Sequence, residues 1–316
     1  SNPNLLIKLI ANYLYSFTSL SFMKRKVVQH GAKTLTISLP AEWVKRNSVH
    51  VGDELEIEDK YTSLEIAQQK NEEKSELTVH IDKINRLLFK RLLSNLYKRG
   101  YNTIVLVFPT SEIKELGRSH VLEYLKKTVG WEILGEKEHS LQIGTVASLN
   151  EEEFPQVLRR YWLTTIELAE TFAEYSKKIN STEMQKIIDL EQKQNSLELF
   201  CIRALNKTRN VTKIDYPRYF LLIERLEEVG DEYKYMTEYI MKDKITKVSK
   251  ETQELLEQTN DYLRKVYESY YMFDIKDVLL ITMKREDFEK RKPSLFFKKP
   301  EKELPLIHHL CSAFVK

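Results

Sequence analysis

The chain has 316 residues, 42% of them apolar, with 50 Lys and Arg against 47 Asp and Glu. That is length for two or three domains with cores of their own. The near balance of charge excludes a large positive field over the whole molecule, so any nucleic-acid surface has to be local. The two cysteines, Cys201 and Cys311, make neither a metal-ligand spacing nor a disulfide framework, which fits a reducing cytoplasm.

Residues 5–22 are apolar in texture, but Lys8 and Asn12 interrupt them and Ser and Thr fill their second half, which makes a poor membrane span. They lack the basic start and small-residue cleavage site of a signal peptide. The expectation is an upstream extension, with the functional chain starting at Met23. An added amphipathic helix packed on a partner and a membrane-contacting segment are the alternatives.

From residue 24 the pattern is that of short strands around one short helix. Val27-Val28-Gln29 leads into a turn at His30-Gly31-Ala32, and Leu35-Thr36-Ile37-Ser38-Leu39 alternates with the period of a half-buried strand. Pro40 opens a helical turn through Glu42, Trp43 and Val44, because proline is tolerated at a first helical position. After a turn at Val51-Gly52-Asp53, Leu55-Glu56-Ile57-Glu58 alternates again. So short a unit buries little area and leaves strand edges unpaired, so it is expected to dimerise or lean on a neighbour. Residues 61–76 are polar, and 68–76 read as a connector or an exposed strand edge.

Next come a strand over 75–81, a helix over 83–99, a β-branched strand over 103–108, a helix over 111–128 and strands over 131–135 and 141–146. This order predicts a two-layer α/β module with its helices on one face of a small sheet. Its glycines are isolated turn residues at no fixed spacing, so no phosphate loop is present. From residue 150 the period becomes helical. Asn150 and Glu153 have capping-box spacing, and helices are predicted to about 179, then over 181–209, 217–241 and 246–272. The first three make an antiparallel bundle. The fourth starts a partial second unit. A broken basic stretch at 290–302, with Pro293 and Pro300, and a last helix over 305–316 that reads as cut rather than finished complete it. The predicted fold is therefore α+β multidomain, divided into 1–22, 23–61, 62–149, 150–243 and 244–316.

At about 100° per residue, Met184, Ile188, Glu191, Asn195, Leu199 and Ile202 fall in one stripe, so two polar side chains share a core face. On the next helix Ile223, Leu226, Gly230 and Tyr233 face inward, with Glu227 and Asp231 one turn apart at the edge and Glu224 alongside. A carboxylate facing a core is costly unless paired, hydrogen-bonded or metal-bound. Three readings stay open. The groups are rim residues bonded to solvent, Arg225 or lysines; or Glu191, Glu227 and Asp231 supply oxygens to Mg²⁺, Mn²⁺ or iron; or Asn195 centres an interhelical hydrogen-bond network. A dinuclear carboxylate enzyme is excluded, since it needs histidines on these helices and none lies between His139 and His308. With no serine elbow or cysteine–histidine arrangement either, no catalytic activity is expected.

The segment from Lys24 through Thr34-Leu35-Thr36-Ile37-Ser38-Leu39-Pro40 to Val51-Gly52-Asp53-Glu54-Leu55 resembles the AbrB/SpoVT swapped-hairpin family of regulators, which bind DNA as dimers. Ile187-Ile188-Asp189-Leu190-Glu191 with Asn195, and Glu227-Glu228-Val229-Gly230-Asp231, resemble the PhoU phosphate-uptake regulators, whose three-helix units carry Glu/Asp-x-x-x-Asp metal motifs. The motif matches at Glu227, Asp231 and Glu191, but Asn195 stands where the family has Asp. One carboxylate fewer implies weak or absent binding of a divalent or ferric ion. The combination resembles archaeal PhoU-like proteins fused to an AbrB-type domain.

The resemblance implies a cytoplasmic homodimer, joined through its N-terminal domain, that binds DNA and regulates phosphate uptake or related transcription while the bundle senses a partner or a metal. Lys24, Arg25, Lys26 and Lys33 are expected to cluster at one end of the β-domain, and Lys45 and Arg46 to extend that surface from its helix. Ordinary solubilising charges are the other reading of these six. The rival function is an adaptor that leaves DNA alone and docks its bundle on a phosphate transporter or a sensor kinase. Stable membrane insertion is not expected.

Overall fold

The computed structural model describes residues 24–59, 63–68, 76–146, 154–207, 212–297 and 301–315. The expectations for residues 1–22, for the cap at Asn150 and Glu153 and for most of the 68–76 connector lie outside the described residues. The chain divides into two compact units, Ser1–Glu72 and Glu73–Lys316.

In the front unit, β1 (Val28–His30) and β2 (Thr34–Thr36) form an antiparallel hairpin with Val28 opposite Thr36 and His30 opposite Thr34. Gly31 holds the turn at φ +73°, a left-handed conformation that a β-carbon would strain. In α1 (Ala41–Arg46), Pro40 is the N-cap rather than the first helical residue, and its carbonyl accepts from the Val44 N–H at 2.9 Å. The Asp53 carboxylate closes the next turn by accepting from the His50 N–H at 2.7 Å. β3 (Leu55–Asp59) then pairs antiparallel with β4 (Leu64–Gln68), Ile57 opposite Ile66. β4 is a strand inside residues 61–76, which the sequence marks only as polar, and it ends where the expected 68–76 connector begins. The expected boundary at residue 61 lies outside the described residues. None of the described side chains of the front unit is buried.

The back unit begins with a four-stranded sheet of β5 (Glu76–His80), β6 (Thr103–Val107), β7 (Trp131–Lys137) and β8 (Ser140–Thr145) in the order β5-β6-β8-β7, β5 parallel to β6 and the other pairs antiparallel. Alternation along β6 buries Ile104 and Leu106, which lie opposite Ile143 and Leu141 of β8. Phe89, Leu93, Leu96 and Tyr97 of α2 (Arg86–Lys98) and Val121 and Tyr124 of α3 (Ser111–Leu125) join that core, which gives the expected two-layer module. α2 starts later than expected because the Asn85 side chain accepts from the N–H groups of Leu87 and Leu88, both at 3.1 Å, and so caps it.

The bundle comprises α4 (Phe154–Tyr175), α5 (Ser181–Lys207), α6 (Thr212–Lys242), α7 (Lys250–Tyr271), α8 (Ile275–Phe297) and α9 (Leu304–Val315). Phe172 near the end of α4 packs with Met184 near the start of α5 and Met236 late in α6, whereas Phe154, Leu205 and Ile223 meet at the other end, so the first three helices alternate in direction. Gly230 permits the close approach of α5 and α6, since a β-carbon there would lie 1.8 Å from Gln194 Oε1. Three expectations are corrected. α6 begins before Pro217 rather than at it. α8 runs through Pro293, so much of the 290–302 stretch is helix, not a break. Leu255 and Leu256 of α7, Phe288 of α8 and Leu306, Ile307, Leu310 and Phe314 of α9 share one core with α4–α6, so 243 and 244 do not divide two cores. Among the described residues, no helix is long and apolar enough to cross a membrane.

Candidate functional site

Lys24, Arg25, Lys26, Lys33, Lys45 and Arg46 are all exposed. Lys45 and Arg46 close the last turn of α1, where the partial negative charge of the helix end favours cations. The hairpin register corrects the expected single cluster. Lys24, Arg25 and Lys26 precede β1 at the open end, while Lys33 sits in the turn at the other. At about 3.3 Å per residue, the strand between them separates the two groups by roughly 15 Å. The same unit leaves Leu35 70% and Ile57 64% exposed, with Val28, Ile37 and Leu64 also open to solvent.

In the bundle, the polar stripe resolves into a charged knot between α5 and α6. Glu191 is 3% exposed, and Lys234, one turn beyond Asp231, reaches across to it. The Lys234 ammonium donates to Glu191 Oε1 at 2.9 Å and to Asp231 Oδ1 at 3.1 Å. Asn195 Nδ2 donates to the same Glu191 Oε1 at 2.6 Å, and the Tyr235 hydroxyl donates to Asp231 Oδ2 at 3.2 Å. Burial alone would lower the Lys234 pKa, but its hydrogen bonds to Glu191 and Asp231 outweigh that and raise it above the ordinary lysine value. Glu227 is half-buried, and its carboxyl is pushed up to about 7, first by burial and then by the negative charges of Asp231, Glu198 and Glu224, with Lys234 opposing.

The structure thus brings Glu191, Asn195 and Asp231 into one network and leaves Glu227 beside it. An ion between Glu191 and Asp231 would need the oxygens that Lys234 already holds. Among the described residues, no group of three or more His, Cys, Asp or Glu side chains is placed to hold a metal ion. In this arrangement the donor set does not fit a metal: a tethered ammonium stands where the cation would be. Lys234 escaped the sequence reading, although Glu227, Asp231 and Lys234 follow the i, i+4, i+7 spacing of one helix face.

Other buried polar groups had no sequence signal. The inward face of α5 is centred on Ile187, Glu191, Gln194, Glu198 and Cys201, so Asn195 is at its edge, and Ile188 and Leu199 are only half-buried. Gln194 Nε2 donates to Thr165 Oγ1 at 3.0 Å and to the Leu226 carbonyl at 2.6 Å. Glu198 pairs with Lys98 of α2 at 2.8 Å. Arg203, 1% exposed, donates at 2.8 Å to the carbonyls of Tyr97 and Tyr101 and to Thr145 Oγ1, and lies over the Tyr97 and Trp131 rings. Burial pulls its guanidinium down to about 10, which leaves it charged at neutral pH. Arg203 is the bolt that holds the α/β module on the bundle. On α9, His309 and Ser312 both bind the buried Glu232 carboxylate, and Glu303 receives the Ser249 and Thr252 hydroxyls at the start of α7.

Residues 31–74 match a family model described as Antidote-toxin recognition MazE, bacterial antitoxin. The front unit therefore carries a MazE/AbrB-like domain, and β2, α1, β3 and β4 lie within the matched residues, with β1 just before them. The match takes in Lys33, Lys45 and Arg46 and stops short of Lys24, Arg25 and Lys26. No curated protein and no solved structure matches the chain.

Proposed function

We propose that the chain is a dimeric DNA-binding regulator without catalytic activity, its front unit docking on DNA and its helical unit receiving the signal. The observation that supports this most is the match over residues 31–74 to a MazE-type domain, on a unit whose six candidate cations are all exposed. A second copy would cover Val28, Leu35, Ile37 and Ile57, which a single chain leaves open to water. It would also double the cationic groups at the hairpin end, in the turn and on α1, so that phosphate contacts position the dimer. Regulation of phosphate uptake, with a phosphate transporter or a sensor kinase as partner of the bundle, rests on the resemblance of the Glu191 and Glu227 segments to PhoU proteins. An adaptor that ignores DNA is the rival.

Fluorescence anisotropy with duplex DNA across a salt series tests the reading. Six to ten phosphate contacts predict a loss of about 10³-fold or more in affinity between about 50 and 200 mM salt. Arg25→Ala with Lys26→Ala should weaken binding on all sequences alike and flatten the salt slope. A wild-type chain with no affinity for DNA even at low salt would leave the adaptor reading standing.

A further inference from the structure

The first three turns of α8 carry apolar side chains all the way round. At about 100° per residue, Val278 and Ile281 turn toward the bundle and are half-buried, and Phe288, on the same side, is 1% exposed in the shared core. Ile275, Leu279 and Met283 follow the i, i+4, i+8 spacing of the opposite side and are 57–66% exposed. Met272, in the link before α8, and Leu280 are exposed as well and extend the patch. A helix that is apolar on every side belongs inside a core, and here one side has no cover among the described residues. The charge beside it does not fit a membrane. From Ile275 to Asp287 three Lys and Arg stand against three Asp and Glu, whereas a helix lying on lipid carries a cationic excess.

We propose that this face is where a second copy of the chain docks, α8 lying antiparallel on α8 about a two-fold axis. Area and charge both point to this occupant. Covering Met272, Ile275, Leu279, Leu280 and Met283 on both copies removes roughly 1,000 Å² from water, the lower bound for a specific contact, and a patch doubled on itself closes with no further surface. Lys276 borders the stripe near its start, and Glu286 continues it about 15 Å further along the axis. Both are exposed and, among the described residues, neither is ion-paired within the chain. With the axis level with Ile281, Leu279 lies opposite the second copy's Met283 and Lys276 opposite the second copy's Glu286, twice over. A parallel pair would set lysine on lysine and glutamate on glutamate. The contact is separate from the hairpins of the front unit and does not depend on whether those bind DNA.

Sedimentation velocity of the full chain over a rising concentration series tests this, with Ile57→Asp as the parent so that the front contact is weakened throughout. The parent is expected to associate reversibly to a dimer, and Leu279→Glu, which changes only an exposed side chain, to weaken that step at least about tenfold. Lys276→Glu sets two carboxylates together at each end of the contact and should weaken it about tenfold, and adding Glu286→Lys should restore it. Each variant should keep the parent's melting temperature, so that the loss is one of docking and not of folding. A parent that stays monomeric at every concentration overturns the proposal and leaves the stripe to a different partner. A Leu279→Glu chain that associates like the parent overturns it too, since the association then belongs to the front unit, whose reading stands alone. So does a charge exchange that fails to restore the loss, or a Leu279→Glu chain that melts well below the parent, which would place Leu279 in a core rather than on a docking face.

Discussion

From Lys24 to Ile66 no described side chain is buried, whereas the chain from residue 76 onward encloses three apolar clusters, each drawing on several elements. The two regions do not differ in having apolar residues: Val28, Leu35, Ile37, Ile57 and Leu64 line the front as Ile104, Leu106, Leu141 and Ile143 line the sheet behind. They differ in whether the same chain supplies the opposite layer. In the back unit α2 and α3 cover the sheet. In the front unit two small hairpins and one six-residue helix have nothing of their own to place over those side chains. Among the described residues the front unit supplies no cover for them, while the back unit closes over its own.

The largest expected effect breaks the back unit alone. Arg203→Ala removes the guanidinium donors to the Tyr97 and Tyr101 carbonyls and to the Thr145 hydroxyl and opens a hole beside two rings, which should cost about 3–5 kcal/mol. Thermal unfolding followed by Tyr and Trp fluorescence should show the back unit melting many degrees lower, with DNA affinity kept at temperatures where it is still folded. A chain that lost both together would show that the two regions are not independent.

Next comes the charged knot. Lys234→Ala strands the buried Glu191 carboxylate, and because the lysine is partly solvated the cost is about 2–3 kcal/mol. The variant also vacates the place of the cation. Added Mn²⁺ should therefore raise the melting temperature of Lys234→Ala, more so when combined with Asn195→Asp, and leave the wild type unmoved. Equal Mn²⁺ stabilisation of wild type and variant would mean that the ammonium does not exclude a metal.

The front unit should respond to concentration as well as to mutation. Ile57→Asp places a charge where a second copy is expected to pack, and should weaken self-association about 30-fold, roughly 2 kcal/mol. Light scattering over a dilution series would show it. A wild-type chain that stays monomeric at high concentration removes the argument for a swapped dimer.

How far the sequence foretold each region follows from where the partners of each residue lie. The inward face of α6, Ile223, Leu226, Gly230 and Tyr233, was legible because its partners repeat with the helical period. Glu191 was legible as a polar group on a core face. Gln194, Glu198 and Arg203 were not, because what makes their burial tolerable comes from Thr165, from Lys98 and from the Tyr97 and Tyr101 carbonyls, all on other elements. β4 was hidden by its polar surroundings, although Leu64-Glu65-Ile66 alternates. α8 was read as broken because Pro293 and the basic run around it outweighed the helical spacing on either side. For Gln194, Glu198 and Arg203 the local rule was sound, and a contact distant in sequence overrode it.

The smallest effect concerns Glu227, which the knot does not neutralise. Its folded pKa of about 7 lies above the ordinary carboxylate value of 4.5, so between these limits the folded chain holds a proton that the unfolded chain has released. The sign follows: the group favours folding below about pH 4.5, and that contribution is lost as pH rises through 7. Burial drives the loss first, then the charges of Asp231, Glu198 and Glu224, and Lys234 opposes it. Glu227→Gln removes the titration. Since the carboxyl is partly solvated, the gain at about pH 8 should be about 1–2 kcal/mol rather than the full value of the shift, a rise of a few degrees in melting temperature. Wild type and variant should lie together near about pH 5, separate progressively up to about pH 7, and run parallel above it. Curves that run parallel from about pH 5 to 7 as well would mean that Glu227 ionises as freely in the folded chain as in water, and that α6 presents it to solvent rather than to the bundle.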